Sequence, residues 1–193
     1  PSRRRMIQPN DVLVLVGDPS VLKSVYKAIK RELGQFPEPF GSNLYLYIDM
    51  NLVNLKTIED FIRRAIYVYQ KFNYDLIIKV VNPNNITALQ QIKSFRSSNI
   101  IVDIEYESEN LKEKFFHDIK FYHVGLVIVS KEIFSSSSTR TMLYEAHVPV
   151  LKISDRSFAK VKDAALILSD NRDLEKVSAN VFDISEQMGF NIE

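Results

Sequence analysis

Cysteine is absent from this chain of 193 residues, and histidine occurs only three times. Without cysteine the chain forms no disulfide scaffold, no cysteine-ligated zinc site, no iron–sulfur cluster and no thiol nucleophile. The three histidines, His117, His123 and His147, lack the i, i+4 spacing of a helical metal site. We therefore predict structural roles for His117 and His123, assign no chemistry to His147, and expect neither a metal nor a catalytic residue.

Long apolar runs and an excess of one charge are also missing. The longest apolar runs, such as Val12–Val16 and Gly125–Val129, are strand-sized and far shorter than the roughly 20 residues that cross a bilayer. The 25 Lys and Arg residues balance 24 Asp and Glu residues, so the chain lacks the basic field of a nucleic-acid-binding protein. These features predict a globular cytoplasmic protein that has no membrane span and does not bind nucleic acid.

The start of the chain has Arg3, Arg4 and Arg5 but neither an initiator methionine nor an apolar signal-peptide core. These first residues predict that the chain is a piece of a longer protein. The turn-rich segment Gly34–Asn43 then separates a short N-terminal part from a body of about 150 residues. We predict three regions: residues 1–35, a linker at 36–43, and a domain at 44–193 with an extra C-terminal βα unit.

Short β-branched runs alternate along the chain with segments of helical period. One apolar stripe, at i, i+3, i+4, i+7, i+8 and i+11 from Ile58 to Tyr69, predicts a helix that Thr57–Asp60 could cap. Shorter stripes predict helices around Ile86–Ile92 and Leu111–Ile119. The predicted strands are Val12–Val16, Leu44–Ile48, Leu76–Val81, Ile100–Glu105, Leu126–Val129, Val148–Ile153 and Ala165–Leu168. This alternation predicts the α/β class, with a mostly parallel sheet and helices on both faces.

Residues 3–33 read as a turn at Pro9–Asp11, a Leu/Val strand, a Gly-Asp-Pro turn at Gly17–Pro19 and a closing helix. In this order they resemble the end of an RCK-C (TrkA-C) domain. Domains of this family are regulatory, dimerise, and lie on the cytoplasmic side of potassium channels and transporters. The resemblance therefore implies a homodimer whose partner is a membrane potassium channel or transporter subunit, or an upstream domain of the same chain.

The body has an apolar strand at Val124–Ser130, a helical segment at Ser136–Ala146, a Pro-Val-Leu strand within Val148–Ile153, and Asp49 at the end of its first strand. With these features it resembles the universal stress protein fold, a Rossmann-type α/β layer of five parallel strands. ATP-binding members of the family have three glycines after the fourth strand. Here Ser130 and Ile133 take the first two places and Ser136-Ser137 the last pair, in a loop seven residues shorter than the family pattern.

The resemblance implies no certain cofactor, with ATP or another adenine nucleotide as the candidate ligand. The candidate contacts are Asp49, Asn51, Ser130, Ser136, Ser137 and Thr139. For Ser135–Thr139 with Arg140, the alternatives are an anion site at a helix start and, as the favoured interpretation, an N-cap in a flexible serine loop. For Asp49 and Asn51, the alternatives are a ribose or magnesium contact and, as the favoured interpretation, ordinary helix capping.

The sequence supports three hypotheses about function. The first is a non-enzymatic regulatory module of a potassium channel or transporter system that senses a ligand or assembles subunits, in the cytoplasm or at the inner face of the membrane. The second is a nucleotide-binding universal stress protein-like domain with weak or no ATP hydrolysis. The third is a purely structural dimerisation module. The numerous tyrosines, including Tyr45 and Tyr47, are predicted to pack under helices or at a subunit interface.

Overall fold

A computed structural model of the chain describes residues 36–37, 40–72, 74–153, 163–164, 183–189 and 191–192. The chain divides into two units, Pro1–Leu33 and Gly34–Glu193, and every described residue belongs to the second. The RCK-C-like fragment with its strand at Val12–Val16 lies outside the described residues, as does the predicted strand Ala165–Leu168. The described part of the extra C-terminal unit contains residues 183–188, which are helical.

Five parallel strands form the main sheet in the order β3-β2-β1-β4-β5. These strands are β1 (Asn43–Asp49), β2 (Asp75–Val81), β3 (Ile100–Glu105), β4 (Val124–Ser130) and β5 (Val150–Ile153). The helices are α1 (Ile58–Tyr69), α2 (Ile86–Lys93), α3 (Leu111–Phe121), α4 (Lys131–Ser135) and α5 (Ser137–Glu145). Two short parallel strands, β6 (Asp163–Ala164) and β7 (Asn191–Ile192), pair separately. None of the helices in the described residues combines the length and hydropathy that a bilayer crossing needs.

The three central strands are apolar and buried because helices cover both faces of the sheet. β4 is buried at all seven positions, and β1 and β2 are buried at every position after the first. Along the chain, β2 and then β3 are added on one side of β1. The chain then crosses back, and β4 and then β5 are added on the other side of β1. Right-handed crossovers therefore place α1 and α2 on one face and α3, α4 and α5 on the opposite face. The predicted α/β class with a parallel sheet is confirmed.

Several local predictions differ from the structure. Helix α1 has the predicted bounds, but Thr57 does not cap it with its side chain; the Thr57 hydroxyl donates to the carbonyl of Asn54 at 3.2 Å. Ile86 is 76% exposed because it is the first residue of α2, and the helix buries Ala88 and Ile92 instead. Strand β5 begins two residues later than predicted, at Val150.

The segment predicted as a linker makes specific contacts with the body in its described residues. Phe36 is 1% exposed, and its ring lies 5.9 Å from that of Phe72. The side-chain amide of Gln187 donates to the Phe36 carbonyl at 3.0 Å. Gly41 crosses the start of β4 at Gly125 so closely that a Cβ on either glycine would overlap backbone atoms of the other segment. This approach requires glycine at both positions, because any side chain would force the two backbones apart.

The Gly41–Gly125 crossing generates a stability prediction. We expect Gly125→Ala to lower the free energy of unfolding by at least about 3 kcal/mol, because the new methyl group meets backbone and not a movable side chain. Urea denaturation followed by circular dichroism measures the change. Gly189→Ala is the matched control: Gly189 has φ +72° and nothing within 4 Å, so this variant should lose only about 1 kcal/mol from backbone strain. Equal losses in the two variants would contradict a steric role for the crossing.

Candidate functional site

The pairing of β1 with β4 ends before either strand does. β1 pairs with β2 as far as Asp49 opposite Val81, and β4 pairs with β5 as far as Ser130 opposite Ile153. By contrast, the last β1–β4 pair is Leu46 with Ile128. The carboxyl ends of these two strands therefore separate. The connections that leave β1 and β4 run to opposite faces of the sheet, which is the arrangement at which open α/β sheets bind ligands. We call the gap between the carboxyl ends of these two strands the crevice.

Asp49, the last residue of β1, organises a cluster of polar side chains at this edge. Its Oδ1 accepts hydrogen bonds from the Asn51 backbone N–H at 3.0 Å and from the Asn82 side-chain amide at 2.9 Å. The Asn84 amide donates to Asn51 Oδ1 at 2.9 Å. Asn82 has the left-handed φ of 52°, which asparagine tolerates better than most residues. We call Asp49, Asn51, Asn82 and Asn84 the carboxylate–amide cluster.

The structure changes the interpretation of Asp49 and Asn51. Their favoured interpretation as helix caps is wrong, because α1 begins only at Ile58 and its N-cap residue is Thr57. The sequence analysis missed Asn82 and Asn84, which follow β2. The run Asn82-Pro-Asn-Asn85 at the end of a predicted strand was the available signal, since parallel strands bring their carboxyl ends to one edge.

Serine residues line the β4 side of the crevice and the helices that follow. Ser130 is 6% exposed, and its Oγ accepts the Ile133 N–H at 3.4 Å, so α4 begins directly after the strand. Ser136 lies between α4 and α5, where its N–H donates to the carbonyls of Glu132 and Ile133 at 3.3 Å each. The favoured interpretation is an N-cap in a flexible serine loop. Its N-cap is present, since Ser136 occupies the N-cap position of α5, but the loop is not, because residues 131–135 and 137–145 are helical and Ser136 alone separates them.

The remaining predicted residues also have defined places. Ser135 ends α4, and its hydroxyl donates to the Lys131 carbonyl at 2.8 Å. Thr139 is 9% exposed and its hydroxyl donates to Ser136 Oγ at 3.3 Å. Ser137 is the first residue of α5, and this helix has no side-chain cap. The predicted site residues therefore fall into two groups at the carboxyl edge, one after β1 and one after β4.

The histidines occupy surface and turn positions. The His117 side chain is 73% exposed and its ring stacks on Phe121 at 5.7 Å. His123 and His147 have φ values of 48° and 55°; His123 lies in the turn after α3, and His147 lies in the connection between α5 and β5. Within the described ranges, no group of three His, Asp or Glu side chains is arranged to hold a metal ion.

A second polar cluster, which the sequence analysis missed, lies beneath α3. Lys79 on β2 is 5% exposed, and its Nζ lies 2.9 Å from Asp103 Oδ2 and 3.0 Å from Asp118 Oδ2. The Tyr45 hydroxyl donates to Asp118 Oδ2 at 2.8 Å, and the Tyr122 hydroxyl donates to Asp103 Oδ2 at 3.1 Å. We call these five residues the buried charge network. Its sequence signal was Lys79, a single charge inside the apolar strand Leu76–Val81.

Burial and the two carboxylates have opposite effects on the pKa of Lys79. Burial alone would lower the pKa of Lys79, but its hydrogen bonds to Asp103 and Asp118 raise the pKa above its usual value. Burial first, and then Asp118, raise the pKa of Tyr45 well above 10.0. Burial and the nearby Asp103 raise the pKa of Tyr122 to about 12. The lysine therefore stays charged and the tyrosines stay neutral throughout the physiological range.

Tyr47 lies between the two polar clusters. It is 3% exposed, neighbours Lys79 in the sheet register, and its ring meets that of Phe115 on α3 at 5.6 Å. Burial, then Asp49, then Asp118 raise the pKa of Tyr47 above its ordinary value. The prediction that Tyr45 and Tyr47 pack under a helix is confirmed.

Comparisons with known proteins assign the chain to no family. No family model matches the sequence, and no curated protein is similar to it. A crystal structure described as a universal stress protein in complex with cAMP is similar at 10% sequence identity and a TM-score of 0.37; the match covers 58% of this chain and 98% of that one. At this identity and TM-score the likeness carries no argument about the family, the fold or the ligand of this chain.

The buried charge network generates a prediction about α3. We expect Asp118→Ala to lower the free energy of unfolding by about 3 kcal/mol, because it removes one partner of a buried ion pair. Urea denaturation measures the loss. Glu113→Ala is the control: Glu113 lies on the same helix and is exposed, so this variant should change stability by no more than about 0.5 kcal/mol. A loss of the same size in both variants would show that the ion pair contributes nothing specific.

The tyrosine pKa values generate a prediction at alkaline pH. The pKa of Tyr122 is about 12 in the folded protein against an ordinary value of 10.0. Folding therefore favours the neutral phenol, and its contribution to stability is complete below pH 10 and is lost as the pH rises toward 12. The raised pKa of Lys79 acts in the same direction. We therefore expect the urea concentration at the midpoint of unfolding to fall as the pH is raised from 10 to 12.

Two tyrosine variants separate this effect from general alkaline denaturation. Tyr122→Phe keeps the ring and removes the hydrogen bond to Asp103, so it should cost about 1 kcal/mol at neutral pH and make the alkaline loss shallower. Tyr106→Phe, at a residue that is 68% exposed, should leave the alkaline loss unchanged. Identical pH profiles for the wild type and Tyr122→Phe would rule out a contribution from Tyr122.

Proposed function

We propose that the crevice between the carboxyl ends of β1 and β4 binds a nucleotide. The observation that carries the proposal is the early end of β1–β4 pairing at Leu46 and Ile128, with the carboxylate–amide cluster at the end of β1. Ligands of open parallel sheets bind at such a point because the two outgoing connections leave the strand ends uncovered. The Asp49 carboxylate, held in place at the end of β1, can accept hydrogen bonds from the amine and hydroxyl groups of a nucleoside.

The β4 side of the crevice supplies a contact for a phosphate group. Helix α5 returns the chain to the amino end of β5, so it begins on the carboxyl side of the sheet. Ser136 is the N-cap residue of α5, but its side chain makes no capping hydrogen bond, and the first intrahelical bond is made by Arg140 N–H to the Ser136 carbonyl. The N–H groups of the first turn of α5 and the Ser137 hydroxyl would favour an anion at this end of the crevice.

We assign binding and not turnover to this crevice. The hydrogen bonds from Asn51 and Asn82 hold Asp49 as an acceptor, and the other three members of the carboxylate–amide cluster are amides that do not titrate. A site of this composition can recognise a ligand without a second acid or base for proton transfer.

The regulatory hypothesis extends this proposal. In this hypothesis, nucleotide binding shifts the conformational equilibrium of a potassium channel or transporter, and the shift is transmitted through the RCK-C-like residues 3–33 and through a homodimer. Those residues lie outside the described part of the chain, so this extension stays a prediction. It would require the ligand to bind two conformational states with different affinities.

The test is isothermal titration of the protein with adenosine, AMP, ADP, ATP and cyclic dinucleotides, with and without Mg²⁺. We expect saturable binding of at least one adenine nucleotide. Asp49→Ala should weaken it about tenfold or more, because a charged acceptor is lost. Asp60→Ala is the control: it removes an exposed carboxylate on α1 and should leave the affinity unchanged.

Two results would contradict the proposal. If none of these compounds binds to correctly folded protein, the structural dimerisation module becomes the better hypothesis. If nucleotide binds equally well to the wild type and to Asp49→Ala, the ligand lies elsewhere. Circular dichroism of each variant shows whether it is folded before its affinity is compared.

A further inference from the structure

The helical residues 183–188, near the end of the chain, contact the segment predicted as a linker. We call these residues the C-terminal helix. The Gln187 side-chain amide donates to the Phe36 carbonyl at 3.0 Å, across 151 positions of sequence. Ile184 and Met188 share a helix face with Gln187 because they lie three residues before it and one after it. Both pack against the hydrophobic core that includes Phe36, so one face of the helix supplies the polar and the apolar contacts.

The described residues of the linker are held to the body in two different ways. In the later part, the Ser42 and Asn43 N–H groups donate to the His123 carbonyl at 2.8 and 3.2 Å. In the earlier part, the ring of Phe36 lies 5.9 Å from that of Phe72, and the Phe36 carbonyl accepts the hydrogen bond from the C-terminal helix. The later part therefore depends on backbone bonds at the start of β1, whereas the earlier part depends on side chains.

The C-terminal helix is packed less deeply than the residue that it holds. Phe36 is 1% exposed, whereas no side chain of the C-terminal helix is fully buried. The helix ends at Gly189, which has φ +72° and whose N–H donates to the Ser185 carbonyl at 2.8 Å. Segments with few fully buried contacts open locally at a lower free energy than the core does. The C-terminal helix can therefore detach while the five-stranded sheet stays folded.

We propose that the C-terminal helix is a releasable clamp on the start of the linker, and that its detachment frees the chain at Phe36 but not at Ser42. The polypeptide enters the body through this linker. The first described residue fixed to the body is therefore Phe36 when the helix is bound and Ser42 when it is detached. The linker precedes the amino end of β1, at the edge of the sheet opposite the crevice, so the inference does not rest on the proposed nucleotide binding.

Two pairs of backbone amides report separately on the two parts of the linker. The Phe40 and Gly41 N–H groups both donate to the Pro37 carbonyl, at 2.9 and 3.1 Å, so this first pair loses its acceptor when the chain next to Phe36 moves away. The N–H groups of Ser42 and Asn43 form the second pair, which is bonded to the α3–β4 turn. Hydrogen exchange measured by NMR resolves the four amides individually.

Variants on the inner face of the C-terminal helix test the clamp. Gln187→Ala should make the first pair exchange about fivefold faster, because one hydrogen bond of the clamp is lost. The double variant Ile184→Ala, Met188→Ala should make it exchange about tenfold faster or more, because the apolar contacts are lost. The second pair should change by less than about twofold in both variants. Glu186→Ala is the matched control: Glu186 is exposed on the same helix, so neither pair should change.

Two results would overturn the inference. Unchanged exchange of the first pair in the double variant would show that the C-terminal helix does not hold the start of the linker. Equal acceleration of both pairs would show that the helix supports the whole body and is not a separate clamp. Circular dichroism of each variant establishes beforehand that the sheet is folded.

Discussion

The unequal pairing of β1 with its two neighbours is the constraint on which the candidate site depends. β1 is held to β2 along its whole length, but to β4 only as far as Leu46. The reason is topological: the crossovers from β1 and β4 leave toward opposite faces, so neither of these two connections crosses the gap between the strand ends. Asp49 and Ser130 end their strands at this gap and are thereby presented at its two sides.

A second constraint is the cost of burying charge beneath α3. Lys79, Asp103 and Asp118 come from β2, β3 and α3, and the buried charges of Lys79 and Asp118 would be unfavourable without their ion pair. Together with the hydroxyls of Tyr45 and Tyr122 they bring α3 onto the sheet in one register. Tyr47 contacts α3 and is close enough to Asp49 for the carboxylate to raise its pKa, so the packing of α3 and the site at the end of β1 are physically adjacent.

Much of the fold was predictable because its signals are local. Apolar runs predicted β1, β2 and β3 to within one residue, and the stripe from Ile58 to Tyr69 predicted the bounds of α1. The errors occurred where a tertiary contact outweighed a local preference. Thr57 resembles a capping residue, but its hydroxyl bonds to the preceding turn. The serines after β4 resemble a loop, but Ser130 caps a helix that begins at once.

The sequence by itself determined the alternation of strands and helices, the parallel class of the sheet and the position of Asp49 at the end of a strand, because these follow from periodicity within short segments. Only the tertiary structure decided that Asn82 and Asn84 join Asp49 and Asn51, and that Lys79 meets two carboxylates from other elements. Those contacts depend on strand order and on the face each helix covers. Neither property is encoded in the spacing of residues along one segment, because both arise when distant segments pack together.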